Sequence, residues 1–184
     1  MLENTSNAEY ELIQHCKTGA LKHQELLYKQ YYGYAMGISL RYSLNRDDAL
    51  EVTNDAFIKV FNNINSYNNT KPFKAWLRTV IINTAIDRRR KDLKHQQHAN
   101  LEDAITIGQQ ATAIENLNVQ DILKIMGQLP PLQVTVFNLY EIDGYSHDEI
   151  AQMLALSPSS SRVYLTRAKE KLRRIITKEQ QSHG

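Results

Sequence analysis

The chain has 184 residues and a formal net charge of +2, which is enough for one ordinary domain or two small ones. Its one cysteine, Cys16, excludes an internal disulfide, and its six histidines lack the paired spacing of zinc ligands, so we predict no metal and no cofactor. The first residues carry acids and amides, and no apolar run approaches about 18 residues, so we expect no export signal and no membrane insertion.

Apolar residues recur at helical spacing along nearly the whole chain, which predicts an all-α fold. A first helix begins near Asn7 and ends at Gly19, and a tyrosine-rich second helix runs from about Lys22 to Leu44. A third helix follows Asn45 and has one apolar stripe, which predicts one buried face. The stripe is formed by Ala49, Val52, Ala56, Val60 and Ile64.

The first two turns of the third helix collect four acids, Asp47, Asp48, Glu51 and Asp55, with no cation among them after Arg46. Acids at a helix N-terminus are favoured by the helix dipole, so a structural role explains part of this pattern. A solvated face and a docking surface for a partner both remain open at this point.

A polar segment at residues 65–72 separates the third helix from a fourth, which starts at Pro72 and ends in a basic run at residues 87–91. Aromatic rings and amides near cations can hold unstacked bases, with about 1–3 kcal/mol per stacked base. Phe73 and Trp76 equally fit core positions, so the loop side chains are the stronger candidates for contact with nucleic acid. These are Asn68, Asn69 and Lys71.

The apolar pattern weakens at residues 95–116, which are rich in Gln, Ala and Thr, and we predict a linker there. The fold class we expect is therefore two small helical domains, residues 1–94 and 117–184. Within the second, residues 146–176 read as a short helix, a tight break and a longer basic helix, the form of a DNA-reading helix-turn-helix. Leu165, Ala168 and Leu172 should face its core, which leaves the cation-rich side for DNA.

Two blocks of the chain resemble the sigma-70 family of transcription initiation factors, and within it the small extracytoplasmic-function type. Residues 47–67, DDALEVTNDAFIKVFNNINSY, and 71–91, KPFKAWLRTVIINTAIDRRRK, are similar to that family's polymerase-binding and promoter-melting domain. Residues 129–173, LPPLQVTVFNLYEIDGYSHDEIAQMLALSPSSSRVYLTRAKEKLR, are similar to its upstream-element-binding domain. Both blocks in this order make the resemblance specific.

The resemblance implies a factor that binds core RNA polymerase, directs it to promoter DNA, helps to open the strands and is held inactive by an anti-sigma factor. It implies a cytoplasmic protein with no catalytic residues and no small-molecule substrate. The implied minus-10 contacts are Tyr67, Asn68, Asn69, Lys71, Phe73, Trp76, Arg78 and Arg88. The implied minus-35 contacts are Ser159, Ser160, Arg162, Val163, Tyr164, Arg167, Lys171 and Arg174. The implied polymerase contacts are Asp48, Glu51, Asp55 and Phe57.

Two residues depart from the pattern of the family in the second block. Ser161 stands where an aliphatic core residue is usual, and Ala155 stands where glycine is usual in the turn. Both changes bear on how the recognition helix packs and on its angle.

Two other classes of protein remain as alternatives. A stand-alone DNA-binding regulator would usually carry a ligand-binding or phosphoacceptor domain in front, but the first half of the chain has no alternating strand and helix pattern and no Gly-rich phosphate loop. An enzyme is disfavoured because the sole His–acid cluster, His147 with Asp148 and Glu149, opens a helix where acids favour the dipole. We therefore predict no catalytic site.

Overall fold

A computed structural model describes residues 2–43, 45–98 and 125–182, and the side chains of 8–43, 45–91 and 125–178. All regular elements in these ranges are helical, which confirms the predicted all-α fold. The chain separates into two compact units, Met1–Arg88 and Arg89–Gly184. The predicted linker at residues 95–116 overlaps the end of a helix that runs to His98, and its remainder lies outside the described residues.

Three helices, one short turn and the part of a fourth helix up to Arg88 form the described part of the first unit. Asn45 caps the third helix, because its side chain accepts a hydrogen bond from the backbone N–H of Asp48 at 2.8 Å. A 3-10 turn, Ile64–Ser66, follows that helix. The helices are α1 Leu2–Lys17, α2 Leu21–Tyr42, α3 Arg46–Asn63 and α4 Phe73–His98.

The predicted apolar stripe of α3 is the centre of the first unit's core, and all five of its residues are buried. It packs against α2, which contributes Leu27, Ala35 and Ile38. Burial of one such aliphatic side chain stabilises the fold by about 1.5–3 kcal/mol. The sequence pattern thus identified the buried side of α3 correctly.

Helix α4 extends beyond its predicted end at Lys91 and continues to His98. Residues 92–98 contain no glycine and no proline, so nothing in the local sequence stops the helix. The basic run at residues 87–91 is therefore helical and lies inside α4.

The second unit holds the helix-turn-helix. Residues 125–127 are helical, and the elements after them are α5 Pro131–Phe137, a π-helical turn Asn138–Ile142, α6 His147–Leu154 and α7 Pro158–Ser182. Both α5 and α6 pack against α7. The core between them includes Val136, Leu139, Ile150, Leu165 and Ala168.

Local hydrogen bonds define both ends of α6. Ser146 and Glu149 form a capping box: the Ser146 side chain accepts from the backbone N–H of Glu149, and the Glu149 carboxylate accepts from the Ser146 N–H at 2.8 Å. The backbone N–H and the hydroxyl of Ser146 both donate to this carboxylate and lower the pKa of Glu149. At the other end Ala155 has a left-handed backbone with φ of 54°, which allows the N–H of Leu156 to reach the carbonyl of Ala151 at 2.9 Å.

We predict that Ala155→Gly stabilises the protein by about 1 kcal/mol, because glycine adopts the left-handed region without the cost that a Cβ atom imposes. The free energy of unfolding in urea is the measurement. Gly144→Ala is the matched control: Gly144 has φ of +77° and open space around a Cβ, so the substitution should cost about the same amount through the backbone alone. A lower stability of Ala155→Gly would contradict the argument.

Candidate nucleic-acid interface

The first candidate surface is the loop at residues 67–72, between the 3-10 turn and α4. Its two ends are joined by the Tyr67 hydroxyl, which donates to the carbonyl of Lys71 at 2.8 Å. Inside the loop, Oδ1 of Asn68 accepts from the backbone N–H of Thr70 at 3.3 Å and also from its hydroxyl. Asn68, Asn69 and Lys71 are all exposed. The loop therefore presents two amides and one cation on a closed backbone.

A cluster of aromatic rings lies beneath this loop. The Tyr67 ring is 5.3 Å from Phe73 and 5.5 Å from Trp76, and Tyr31 of α2 lies 5.1 Å from Phe73, measured between ring centroids. Tyr67 is 6% exposed and Phe73 is 2% exposed, whereas Trp76 is half-buried. Tyr67 and Phe73 therefore present almost no accessible ring face in this unit, and their contact with the minus-10 strand stays a prediction.

Two cations of α4 were also predicted to contact DNA, Arg78 and Arg88, and both are half-buried. Arg88 lies 3.8 Å from the carboxylate of Asp48 and hydrogen-bonds to Glu51, both on α3. One predicted DNA contact and two predicted polymerase contacts are therefore paired with one another. Partly exposed pairs of this kind contribute at most about 1 kcal/mol.

The exposed residues of α3 differ from the polymerase contacts that the resemblance implies. Asp55 is exposed as expected. Phe57 is only 2% exposed and packs on Tyr28 with 4.7 Å between ring centroids, so it lies in the core and its contact with polymerase stays a prediction. Sequence reasoning missed Leu50 and Ile58, which are 39% and 58% exposed. The sequence could have indicated their exposure, because both are apolar, lie eight residues apart and fall outside the buried stripe.

The second candidate surface is the exposed side of α7. Leu165 and Ala168 are buried and Leu172 is half-buried, in agreement with their spacing. Sequence reasoning missed Thr166, which is exposed beside Arg162 and donates its hydroxyl to that residue's carbonyl at 3.0 Å. The predicted contacts on the exposed side are Ser159, Arg162, Val163, Arg167, Lys171 and Arg174, while Ser160 and Tyr164 are half-buried.

The start of α7 is organised by hydroxyl groups. Oγ of Ser157 accepts from the backbone N–H of Ser160 at 3.0 Å, and it lies 2.8 Å from Oγ of both Ser159 and Ser160. This arrangement caps the helix and holds its first turn, immediately before Arg162. Lys169, another cation of α7, forms an ion pair within the second unit, with its ammonium 2.6 Å from the carboxylate of Glu141.

Ser161 is fully buried and has a specific polar partner. Its Oγ lies 2.9 Å from Nδ1 of His147 on α6, and the His147 ring stacks on Tyr140 of the π-helical turn, with 4.4 Å between centroids. A buried hydroxyl without a partner would destabilise the core, so His147 accounts for serine at this position. The residue that departs from the family pattern thus joins the recognition helix to α6.

The charges around His147 favour its neutral form. Burial lowers the pKa of His147, the nearby Arg162 lowers it further, and Lys169 adds to this while Asp148 opposes it. The unfolded chain takes up a proton below a pKa of about 6.5, whereas the folded chain resists it. Stability contributed by this group is therefore present above about pH 6.5 and is lost as the pH falls towards the folded pKa.

We predict that the melting temperature of the wild-type protein falls more than that of His147→Gln between pH 7.5 and pH 5.5, because the folded wild type resists protonation of His147. The variant lacks the ring that titrates, so its remaining pH dependence reports the other groups. Thermal unfolding by circular dichroism at the two pH values measures the difference. Equal pH dependence in the two proteins would contradict this assignment.

Within the described residues, no group of three or more His, Cys, Asp or Glu side chains is arranged to hold a metal ion. None of the helices in these ranges is both long and apolar enough to cross a membrane. The features that do stand out are the exposed loop of the first unit and the cation-rich side of α7.

Comparison with known proteins gives two family matches, in the order that the two blocks predict. Residues 27–94 match the family described as Sigma-70 region 2, and residues 119–172 match Sigma-70, region 4. The first matched range begins after α1. RNA polymerase sigma factor YlaC of Bacillus subtilis is 27% identical over 174 residues, covering 88% of this chain and 98% of that protein. The ECF RNA polymerase sigma-E factor of Haemophilus influenzae is 24% identical, covering 90% and 93%.

Among solved structures, the chain is similar to the sigma factor RpoE in its complex with the anti-sigma factor NepR from Bartonella quintana. The TM-score is 0.52 at 18% identity, and the match covers 83% of this chain and 96% of that one. At this sequence identity the similarity shows that the two chains share a fold.

Proposed function

Since the chain belongs to the sigma-70 family, we propose how its residues divide the work of a transcription initiation factor. It is of the extracytoplasmic-function type and directs RNA polymerase to promoters. The first domain, residues 1–94, docks on core RNA polymerase and holds the opened minus-10 strand. The second, residues 117–184, reads the minus-35 element, and residues 95–116 link the two. The protein acts in the cytoplasm and performs no catalysis itself.

The observation that carries this proposal is the exposed side of α7. Arg162 and Arg167 are exposed in the first half of the helix, and a guanidinium can pair with both acceptors on the major-groove edge of guanine. Val163 is 46% exposed near them and fits the methyl group of thymine. Lys171 and Arg174, further along the same helix, suit phosphates, which fix position without reading sequence.

The test of this function is transcription in vitro from a library of promoter fragments, with core RNA polymerase in the presence and absence of the protein. The expected result is a set of protein-dependent transcripts whose templates share two upstream elements at a fixed spacing. If transcripts do not depend on the protein and it does not bind core polymerase, the proposal is wrong, and a stand-alone DNA-binding regulator becomes the better description.

Within that assay we predict that Arg162→Ala lowers transcription from the preferred promoter about 10-fold and relaxes the sequence preference at one position of the minus-35 element. Lys178→Ala is the matched control, because Lys178 is an exposed cation at the far end of α7. It should cause only a small loss, equal for all promoters. Similar behaviour of the two variants would argue against base reading by Arg162.

For the minus-10 strand, the support comes from the loop at residues 67–72. Asn69 and Lys71 are exposed, and Oδ1 of Asn68 already accepts hydrogen bonds from Thr70. An exposed amide can pair with the edge of an unstacked base, and a nearby cation attracts the phosphate backbone. We therefore assign the principal base contact to Asn69, with Lys71 beside it.

For polymerase, the support comes from the outward face of α3. Leu50 and Ile58, two turns apart, are exposed apolar side chains of this helix, and Asp47 and Asp55 are exposed acids of the same helix. Interfaces of this kind take most of their affinity from the apolar centre, whereas surrounding charges speed encounter and set register. We propose Leu50, Asp55 and Ile58 as the docking residues in place of Phe57.

We predict that Ile58→Glu weakens binding to core RNA polymerase by at least about 10-fold, because it places a charge in the apolar centre of the docking face. Leu21→Glu is the control, since Leu21 is even more exposed, at the start of α2. Fluorescence titration of labelled protein with core polymerase measures both affinities. Wild-type affinity of Ile58→Glu would exclude this face as the docking site.

An anti-sigma factor completes the proposed set of partners. The similar RpoE structure contains one, NepR, and we propose that a protein inhibitor of this kind binds this chain as well. The faces it would need to cover are the outward face of α3 and the exposed side of α7, because those two surfaces carry the proposed polymerase and DNA contacts.

A further inference from the structure

We propose that Lys17, at the end of α1, is a positioning residue that holds the loop at residues 67–72 in the form that captures the minus-10 strand. The inference rests on the proposed role of that loop. It extends that role to α1, which precedes the first matched region of the family. The loop is 50 residues away from Lys17 in the chain, so only the folded unit brings them together.

The geometry supporting this assignment is a direct bond to the loop's first residue. Nζ of Lys17 donates to the backbone carbonyl of Tyr67 at 2.9 Å. The same ammonium lies 5.9 Å from the centroid of the Tyr67 ring. Lys17 is half-buried, and α1 packs against the Ile64–Ser66 turn that leads into the loop. One side chain therefore holds both the backbone and the ring at this point.

The Lys17 contact complements the bond that closes the loop. The Tyr67 hydroxyl donates to the Lys71 carbonyl at 2.8 Å, so Tyr67 fixes the far end of the loop while Lys17 fixes Tyr67. A second connection from α1 reaches the ring cluster beneath, where the Tyr31 hydroxyl bonds to Glu9. Asn69 lies between these two ends of the loop, so its position depends on theirs.

The bond is suited to positioning because it is charge-assisted, and such bonds are stronger than those between neutral groups. A loop that is held in its binding form before the strand arrives loses less conformational freedom on binding. Without the ammonium, Tyr67 and the residues after it sample more conformations, and contacts to single bases weaken most because they need the tightest geometry.

The competing explanation is that Lys17 touches a DNA phosphate itself. The two roles differ in salt dependence. A lysine that neutralises a phosphate of a single strand adds about 0.7 to the magnitude of the slope of log affinity against log salt, and its loss weakens binding equally for all sequences. A positioning residue leaves that slope unchanged, and its loss reduces discrimination between minus-10 sequences.

The test uses the holoenzyme formed with core RNA polymerase and the wild-type protein, Lys17→Met or Lys17→Arg. The probe is a fluorescent single-stranded oligonucleotide that carries the minus-10 sequence of the best promoter from the library. For Lys17→Met we expect about 10-fold weaker binding, poorer discrimination against a mismatched oligonucleotide, an unchanged salt slope and unchanged binding of duplex minus-35 DNA. Lys17→Arg, which keeps a cationic donor, should restore binding.

Lys29→Met is the matched control, because Lys29 is an exposed lysine whose ion pair with Glu25 lies within α2. It should bind the oligonucleotide like the wild type. If Lys17→Met lowers the melting temperature, Lys17→Gln replaces it, since glutamine keeps a polar group at this half-buried position but is too short to reach the carbonyl. The same weakening is expected.

Asn69→Ala separates failure of this inference from failure of the loop's proposed role. If Asn69→Ala binds the oligonucleotide like the wild type, the loop does not capture the strand and the proposed role itself is wrong. If Asn69→Ala binds weakly but Lys17→Met and Lys17→Gln bind normally, the positioning role of Lys17 alone is overturned. A salt slope reduced in magnitude by about 0.7 for Lys17→Met would likewise overturn it and identify a phosphate contact.

Discussion

Each functional surface of this protein depends on the burial of one apolar stripe on the helix that carries it. On α3, burial of Ala49, Val52, Ala56 and Val60 leaves Leu50, Asp55 and Ile58 exposed. On α7, burial of Leu165 and Ala168 leaves Arg162, Val163 and Arg167 exposed. Because a helix of fixed pitch cannot bury one side without presenting the other, core packing selects the residues that remain exposed for the polymerase and DNA contacts we propose.

Polar contacts then refine what the apolar core leaves undecided. Ser161 and His147 join the recognition helix to α6, and Lys169 joins it to Glu141 near the π-helical turn. In the first unit, Lys17 and the Tyr67 hydroxyl hold the two ends of the exposed loop. Such bonds are directional, so they limit sliding and rotation that apolar contacts alone permit.

Ion pairs between α3 and α4 reduce the unpaired negative charge that the sequence places on α3. The acids of α3 read as an open patch in the sequence, yet Arg88 reaches Asp48 and Glu51 from α4. Lys59 pairs with Asp87 at 3.3 Å across the same two helices. Glu51 remains exposed but is paired with Arg88, so we assign the negative charge of the proposed docking face mainly to Asp47 and Asp55 and most of its affinity to Leu50 and Ile58.

The sequence by itself determined the all-α class, the buried stripe of α3, the inward residues of α7 and the helix-turn-helix, because helical period, capping residues and breakers act over a few neighbouring positions. It also pointed to the exposed amides of the loop. Only the tertiary structure decided that Tyr67, Phe73 and Phe57 are core, that Arg88 is paired and that His147 supports Ser161. These outcomes depend on contacts between residues 14 to 50 positions apart, which no local pattern encodes.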